Sequence, residues 1–71
     1  MTPRERELLT GIGNCYEACH EGFEETVGMV ARSRDRSIDE VKETLRSIGE
    51  RYGNDPDFLR LRERFPATFP V

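Results

Sequence analysis

The stretch Ser37-Ile38-Asp39-Glu40-Val41-Lys42-Glu43-Thr44-Leu45-Arg46-Ser47-Ile48-Gly49-Glu50-Arg51-Tyr52-Gly53 decides the fold. Val41, Leu45, Ile48 and Tyr52 follow one another at steps of four, three and four, which lays them along one face of an α-helix. Ser37 and Glu40 have the spacing of a capping box, in which each side chain satisfies the other residue's backbone N–H. Asp39 and Glu40 in the first turn suit the positive end of the helix dipole, and Gly53 is placed to end the helix. A helix over 38–52 with a single apolar stripe needs other helices to cover that stripe.

The flanking sequence supplies them. Thr2-Pro3-Arg4-Glu5 repeats the capping-box spacing with proline in the first turn, where its missing N–H is harmless. Leu8, Leu9, Ile12, Cys15, Tyr16 and Cys19 then recur at helical intervals, predicting a helix over about 3–20 with Gly22 as the break. Gly11 and Gly13 each cost about 1 kcal/mol relative to alanine inside a helix, so this helix is expected to bend there or to depend on its packing. Phe23, Val27, Val30 and Ala31 make a second stripe, over about 23–33. Asp55-Pro56 opens a fourth helix through about Arg64, with Phe58, Leu61 and Phe65 inward, and Pro66 stops it. The tail from Pro66 to Val71 carries Phe69 and Val71 and is expected to pack, without helix, across the bundle. No segment alternates as a strand does. The expected fold is all-α: a single domain over 1–71, a small orthogonal bundle of four short helices.

Composition narrows the function. Seventy-one residues bury only about 60% of their unfolded surface, so stability is expected to be modest or shared with a partner. The net charge of -3 gives no global attraction to nucleic acid or anionic lipid. Its distribution is uneven: residues 1–29 hold two arginines against six glutamates, whereas residues 30–53 hold six basic against five acidic side chains. Any basic surface therefore lies in the middle or last third. No apolar run approaches the roughly 20 residues that span a bilayer, and the N-terminal residues lack the apolar core of a signal peptide. A cytoplasmic protein with reduced thiols is expected, one that binds neither membrane nor small-molecule substrate.

Cys15-Tyr16-Glu17-Ala18-Cys19-His20 stands one residue from the C-x-x-C-H pattern that tethers haem. Haem attachment needs two intervening residues where this chain has three. Zinc needs three or four ligands, and His20 lies about 100 degrees around the helix from Cys19. A disulfide between thiols one turn apart on one helix has poor geometry. The reading preferred here is that Cys15 and Cys19 fill the inner face of the first helix as small hydrophobes. A metal-binding protein using Cys15, Cys19 and His20 is kept as an alternative, and no cofactor is expected. The Gly11-Ile12-Gly13 pair has no preceding strand and no third glycine for a dinucleotide fingerprint. His20 is the only histidine and nothing in the sequence orients it toward a nucleophile, so the chain is not expected to be an enzyme.

The span from Thr26 to Leu45 carries the functional signal. Val30 precedes a small Ala31, Ser37 caps a second helix six residues later, and Val41 and Lys42 follow, with Leu45 and Ile48 continuing the inward face. This arrangement resembles the helix-turn-helix of bacterial transcription regulators, of the kind found in sigma-factor region 4 and LuxR-like response regulators. The turn departs from the family's pattern: Asp35 stands where glycine is usual, and Arg34 and Arg36 stand where apolar residues flank it.

The resemblance implies binding of a macromolecule through the paired helices. If the partner is DNA, Arg32, Arg34 and Arg36 are expected at phosphates and Ser37, Lys42 and Arg46 nearest the groove. Asp39, Glu40 and Glu43 at the leading end of the second helix oppose that use. Met29, Ile38, Leu59 and Phe69 lack an evident core position and suggest an apolar contact patch. The expected role is a small regulatory or adaptor domain, with a protein partner or homodimer placed ahead of sequence-specific DNA.

Overall fold

A computed structural model describes residues 1–65. The expected packing of the tail beyond Phe65 lies outside the described residues. Four helices follow in order: α1 (Pro3–Cys19), α2 (Phe23–Ser33), α3 (Ile38–Tyr52) and α4 (Pro56–Arg64). The chain is an all-α bundle in which α1 packs on α2 and α4, and α3 packs on the same two helices. The four therefore close a ring around one core.

The helix starts follow from local chemistry. Thr2 Oγ1 accepts from the Glu5 amide at 3.2 Å while Glu5 Oε1 accepts from the Thr2 amide at 2.8 Å, so the first capping box is complete. Ser37 and Glu40 repeat it at the head of α3. Asp55 accepts from the amides of Asp57 and Phe58, and Pro56 takes the first position of α4. Gly22 heads α2 with no side-chain cap, leaving Glu24 and Glu25 in the first turn to complement the dipole.

The helix ends differ from one another. His20, at φ 52°, closes α1 in the left-handed region and donates its N–H to the Tyr16 carbonyl at 2.7 Å. Helix α1 thus stops one residue short of the expected His20, and it runs unbroken through Gly11 and Gly13. The end of α2 is a Schellman turn. Asp35 takes φ 55° while the Arg36 amide reaches the Ala31 carbonyl at 2.9 Å and the Asp35 amide reaches Arg32 at 3.2 Å. Aspartate here occupies the left-handed position that glycine usually takes. Gly53 ends α3 with right-handed geometry, so conformational freedom is not its contribution. A Cβ at Gly53 would lie 2.8 Å from the Gly49 carbonyl oxygen, and this close approach is what favours glycine there.

The core takes Leu8, Leu9 and Ile12 from α1, Phe23, Val27, Val30 and Ala31 from α2, and Val41, Leu45 and Ile48 from α3. Phe58 and Leu61 complete it from α4. Phe65 sits edge-on to Tyr16 (5.1 Å between centroids) and Phe23 (5.4 Å), closing the seam between the end of α4 and the first two helices.

The cysteines depart from expectation. Cys19 is exposed and Cys15 half-buried, so the two do not form a buried inner face. The apolar stripe of α1 continues geometrically to Cys19, but the neighbouring helices do not cover the last turn, where Glu17, Ala18 and Cys19 are all exposed. Tyr16 and Tyr52 are likewise half-buried and pack on the edge of the core.

Ion pairs tie the ring at its corners. Arg6 of α1 grips Asp55 with both terminal nitrogens, at 3.1 and 2.9 Å, and reaches Asp57 at 2.6 Å. Arg51 of α3 pairs with Glu5 of α1, and Arg64 of α4 pairs with Glu17 while lying over the Tyr16 ring. The Arg6 hydrogen bond is the largest cause holding the Asp55 carboxyl below its usual range. Glu5 is also lowered, chiefly by the backbone hydrogen bond from Thr2.

Candidate macromolecular interface

The α2–turn–α3 pair presents two unlike surfaces. The first is a groove of about 510 Å³ with Gly28, Met29 and Ile38 as its apolar part. Ile38 is 38% exposed, one of two exposed large hydrophobic side chains among the described residues, and it lies across Gly28, where an added Cβ would stand 3.6 Å from its Cδ1. Cys19 borders the groove, and the Cys15 thiol faces the Met29 sulfur at 4.0 Å. Glu21, Glu24 and Glu25 line the same groove against a single cation, Arg32.

The second surface is a cleft of about 450 Å³ where the first two turns of α1 face the connection between α2 and α3. Arg4 stands on one side and Arg34 and Arg36 on the other, with Thr44 on α3. Arg34 is anchored there by donating from Nη2 to the Glu7 carbonyl at 3.1 Å. Its guanidinium lies against the α1 backbone at Gly11, where a Cβ would be 3.1 Å from Nη2.

The six residues singled out by the sequence fall into different situations. Arg32 is exposed in the last turn of α2, and Arg34 and Arg36 are exposed in the turn. Ser37 is committed to capping α3. Lys42 pairs with Glu24 and lies 6.0 Å from the centre of the Phe23 ring, so its charge is held against α2. Arg46 pairs with Glu43 within α3. The structure thus brings Arg34 and Arg36 together and adds Arg4, which sequence reasoning missed. Arg4 lies far away in the chain, and the one local hint was a glycine tolerated inside α1.

Among the described residues, no group of three or more histidine, cysteine, aspartate or glutamate side chains is placed to hold a metal ion. Burial is the main cause pushing the Cys15 thiol up, and Cys19 adds to it. No described helix is long and apolar enough to cross a membrane. The chain matches no protein-family model, no curated protein and no solved structure.

Proposed function

We propose that this protein is a small non-enzymatic adaptor whose α2–turn–α3 pair binds another protein, with a basic amphipathic segment of the partner lying in the Gly28–Met29–Ile38 groove. The observation that carries this reading is the combination of an exposed isoleucine beside a half-buried methionine with Glu21 and Glu25 along the same groove, next to Glu24, whose charge Lys42 already meets. An apolar strip rimmed by one sign of charge suits an amphipathic helix of the opposite sign.

The outer face of α3 argues in the same direction. Asp39, Glu40, Glu43 and Glu50 are exposed there, and both cations the helix would bring to a DNA groove, Lys42 and Arg46, are already paired. Such a face repels phosphates. Duplex DNA is the second reading, favoured by Arg32, Arg34 and Arg36, which stand exposed with no carboxylate partner among the described residues.

The two are separated by titrating the protein with a lysine- and leucine-rich amphipathic helical peptide, its glutamate-for-lysine counterpart, and random duplex DNA. The protein reading expects saturable binding of the basic peptide alone, lost in Ile38→Ser. Binding of DNA alone, with log affinity falling about 0.9 per log salt for each phosphate neutralised, would replace it.

A further inference from the structure

The charges of this molecule are sorted. Six of its eleven cations, Arg6, Lys42, Arg46, Arg51, Arg60 and Arg64, pair with carboxylates. Of the five that have no carboxylate partner among the described residues, three, Arg4, Arg34 and Arg36, line one cleft although they come from α1 and from the α2–α3 turn. In a chain with net charge -3, unpaired guanidinium groups brought together in a concavity repel one another unless an anion joins them.

We infer that this cleft is a binding site for a phosphate group, either free or carried on a small organic molecule. Guanidinium groups match phosphate oxygens with planar forks of N–H donors, and their charge persists at any working pH. Arg34 is pre-positioned: one N–H is spent on the Glu7 carbonyl, which fixes the group against Gly11 and leaves its other donors available. Arg4 supplies donors from the facing side, and Arg36 adds its own beside Arg34.

Glu5 also borders the cleft, and its charge is already met. One oxygen accepts the Thr2 amide and the other pairs with Arg51. Thr44 donates its hydroxyl hydrogen to the Glu40 carbonyl, so the anion is held by the arginines and not by the hydroxyl. The volume of about 450 Å³ falls within the range of ligand-sized pockets, and Leu8 and Val41 give the wall an apolar portion for an organic body. Because the arginines close on the cleft from α1 as well as from the turn, a small ligand fits better than a duplex backbone, which would also meet the acidic face of α3.

The experiment is a titration followed by amide NMR at constant ionic strength in chloride, with inorganic phosphate and AMP as probes. Saturable shifts at Arg4, Arg36 and Thr44 are expected for at least one probe. AMP binding about tenfold tighter than phosphate would identify a phosphorylated organic ligand, and equal affinities would identify free phosphate; either supports the site. Arg4→Gln and Arg36→Gln should each weaken binding about tenfold. Gly11→Ala should weaken it through the displaced Arg34 with the fold retained. Arg62→Gln, which removes an arginine of α4 that has no carboxylate partner among the described residues and does not line the cleft, should leave it unchanged.

The inference is overturned by absence of saturable binding of both probes, or by equal weakening in Arg62→Gln. Displacement of the bound probe by duplex DNA with shifts along Asp39, Glu43 and Arg46 would also overturn it, transferring the arginines to a nucleic-acid interface.

Discussion

Asp35 holds a left-handed backbone at φ 55° without the freedom of glycine. For most residues that conformation costs roughly 1–2 kcal/mol, with aspartate among the less penalised. Its amide is used in the Schellman turn, but among the described residues its side chain makes no hydrogen bond or ion pair. Asp35→Gly is therefore expected to stabilise the fold by up to about 1 kcal/mol, read as a higher urea midpoint with unchanged slope. A lower midpoint would show that the carboxylate contributes something the geometry does not reveal. The cysteines make a second residue-scale case. With Cys19 exposed, Cys15 half-buried and the Cys15 thiol pushed up mainly by burial, less Cys15 thiolate is present near neutral pH. A thiol reagent should label the native protein in two phases, Cys19 first. Single-phase labelling at one rate would contradict this ordering, and Cys19→Ser should remove only the fast phase.

At the scale of elements, helix starts were legible because a cap is a conversation between residues three apart. Thr2 with Glu5 and Ser37 with Glu40 carry their whole geometry in local sequence. The reach of a neighbouring helix is not local, and so the exposed last turn of α1 was hidden. Periodicity marks which face Cys19 occupies, but only the positions of α2 and α4 decide whether that face is covered. The same limit applies to the cleft. The basic turn at Arg34 and Arg36 was visible, whereas the approach of Arg4 and the role of Gly11 depend on how α1 crosses the turn. Asp55 joins both kinds of information, capping α4 locally and bonding Arg6 of α1 at a distance.

Asp55 also has a pH consequence. Its folded carboxyl lies below the ordinary value of 3.8, and Glu5 lies below 4.5. A lowered folded value means that the unfolded chain binds protons first as pH falls. The stabilisation is thus complete above the ordinary values and is lost as pH drops through them toward the folded ones. Asp55→Asn keeps a side chain that caps well but removes the charge that meets Arg6. It should lower stability at pH 7 and flatten the decline of the unfolding midpoint between about pH 5 and 2. An unchanged acid limb would assign the pH dependence to other carboxylates.

For the whole molecule, closure of the helix ring makes folding depend on its last member. A chain of this length is expected to have roughly 4–11 kcal/mol of stability. Phe58, Leu61 and Phe65 are three of the thirteen buried apolar side chains among the described residues. Burying three such groups contributes roughly 5–9 kcal/mol, which is the same size as the total. Without α4 the inner faces of α1 and α3 lose one of the two helices they share as neighbours, and Arg6 loses both carboxylates it bridges. A chain ending at Asn54 is therefore expected to show no cooperative thermal transition, with residual helix by circular dichroism and collapsed amide dispersion by NMR. The full chain with Phe58→Ala should keep a cooperative transition at a lower midpoint, since a single large-to-small change in the core costs about 3–5 kcal/mol. If the shortened chain unfolded cooperatively, the first three helices would form a unit of their own, and the α2–turn–α3 pair would be held in place by α1 alone.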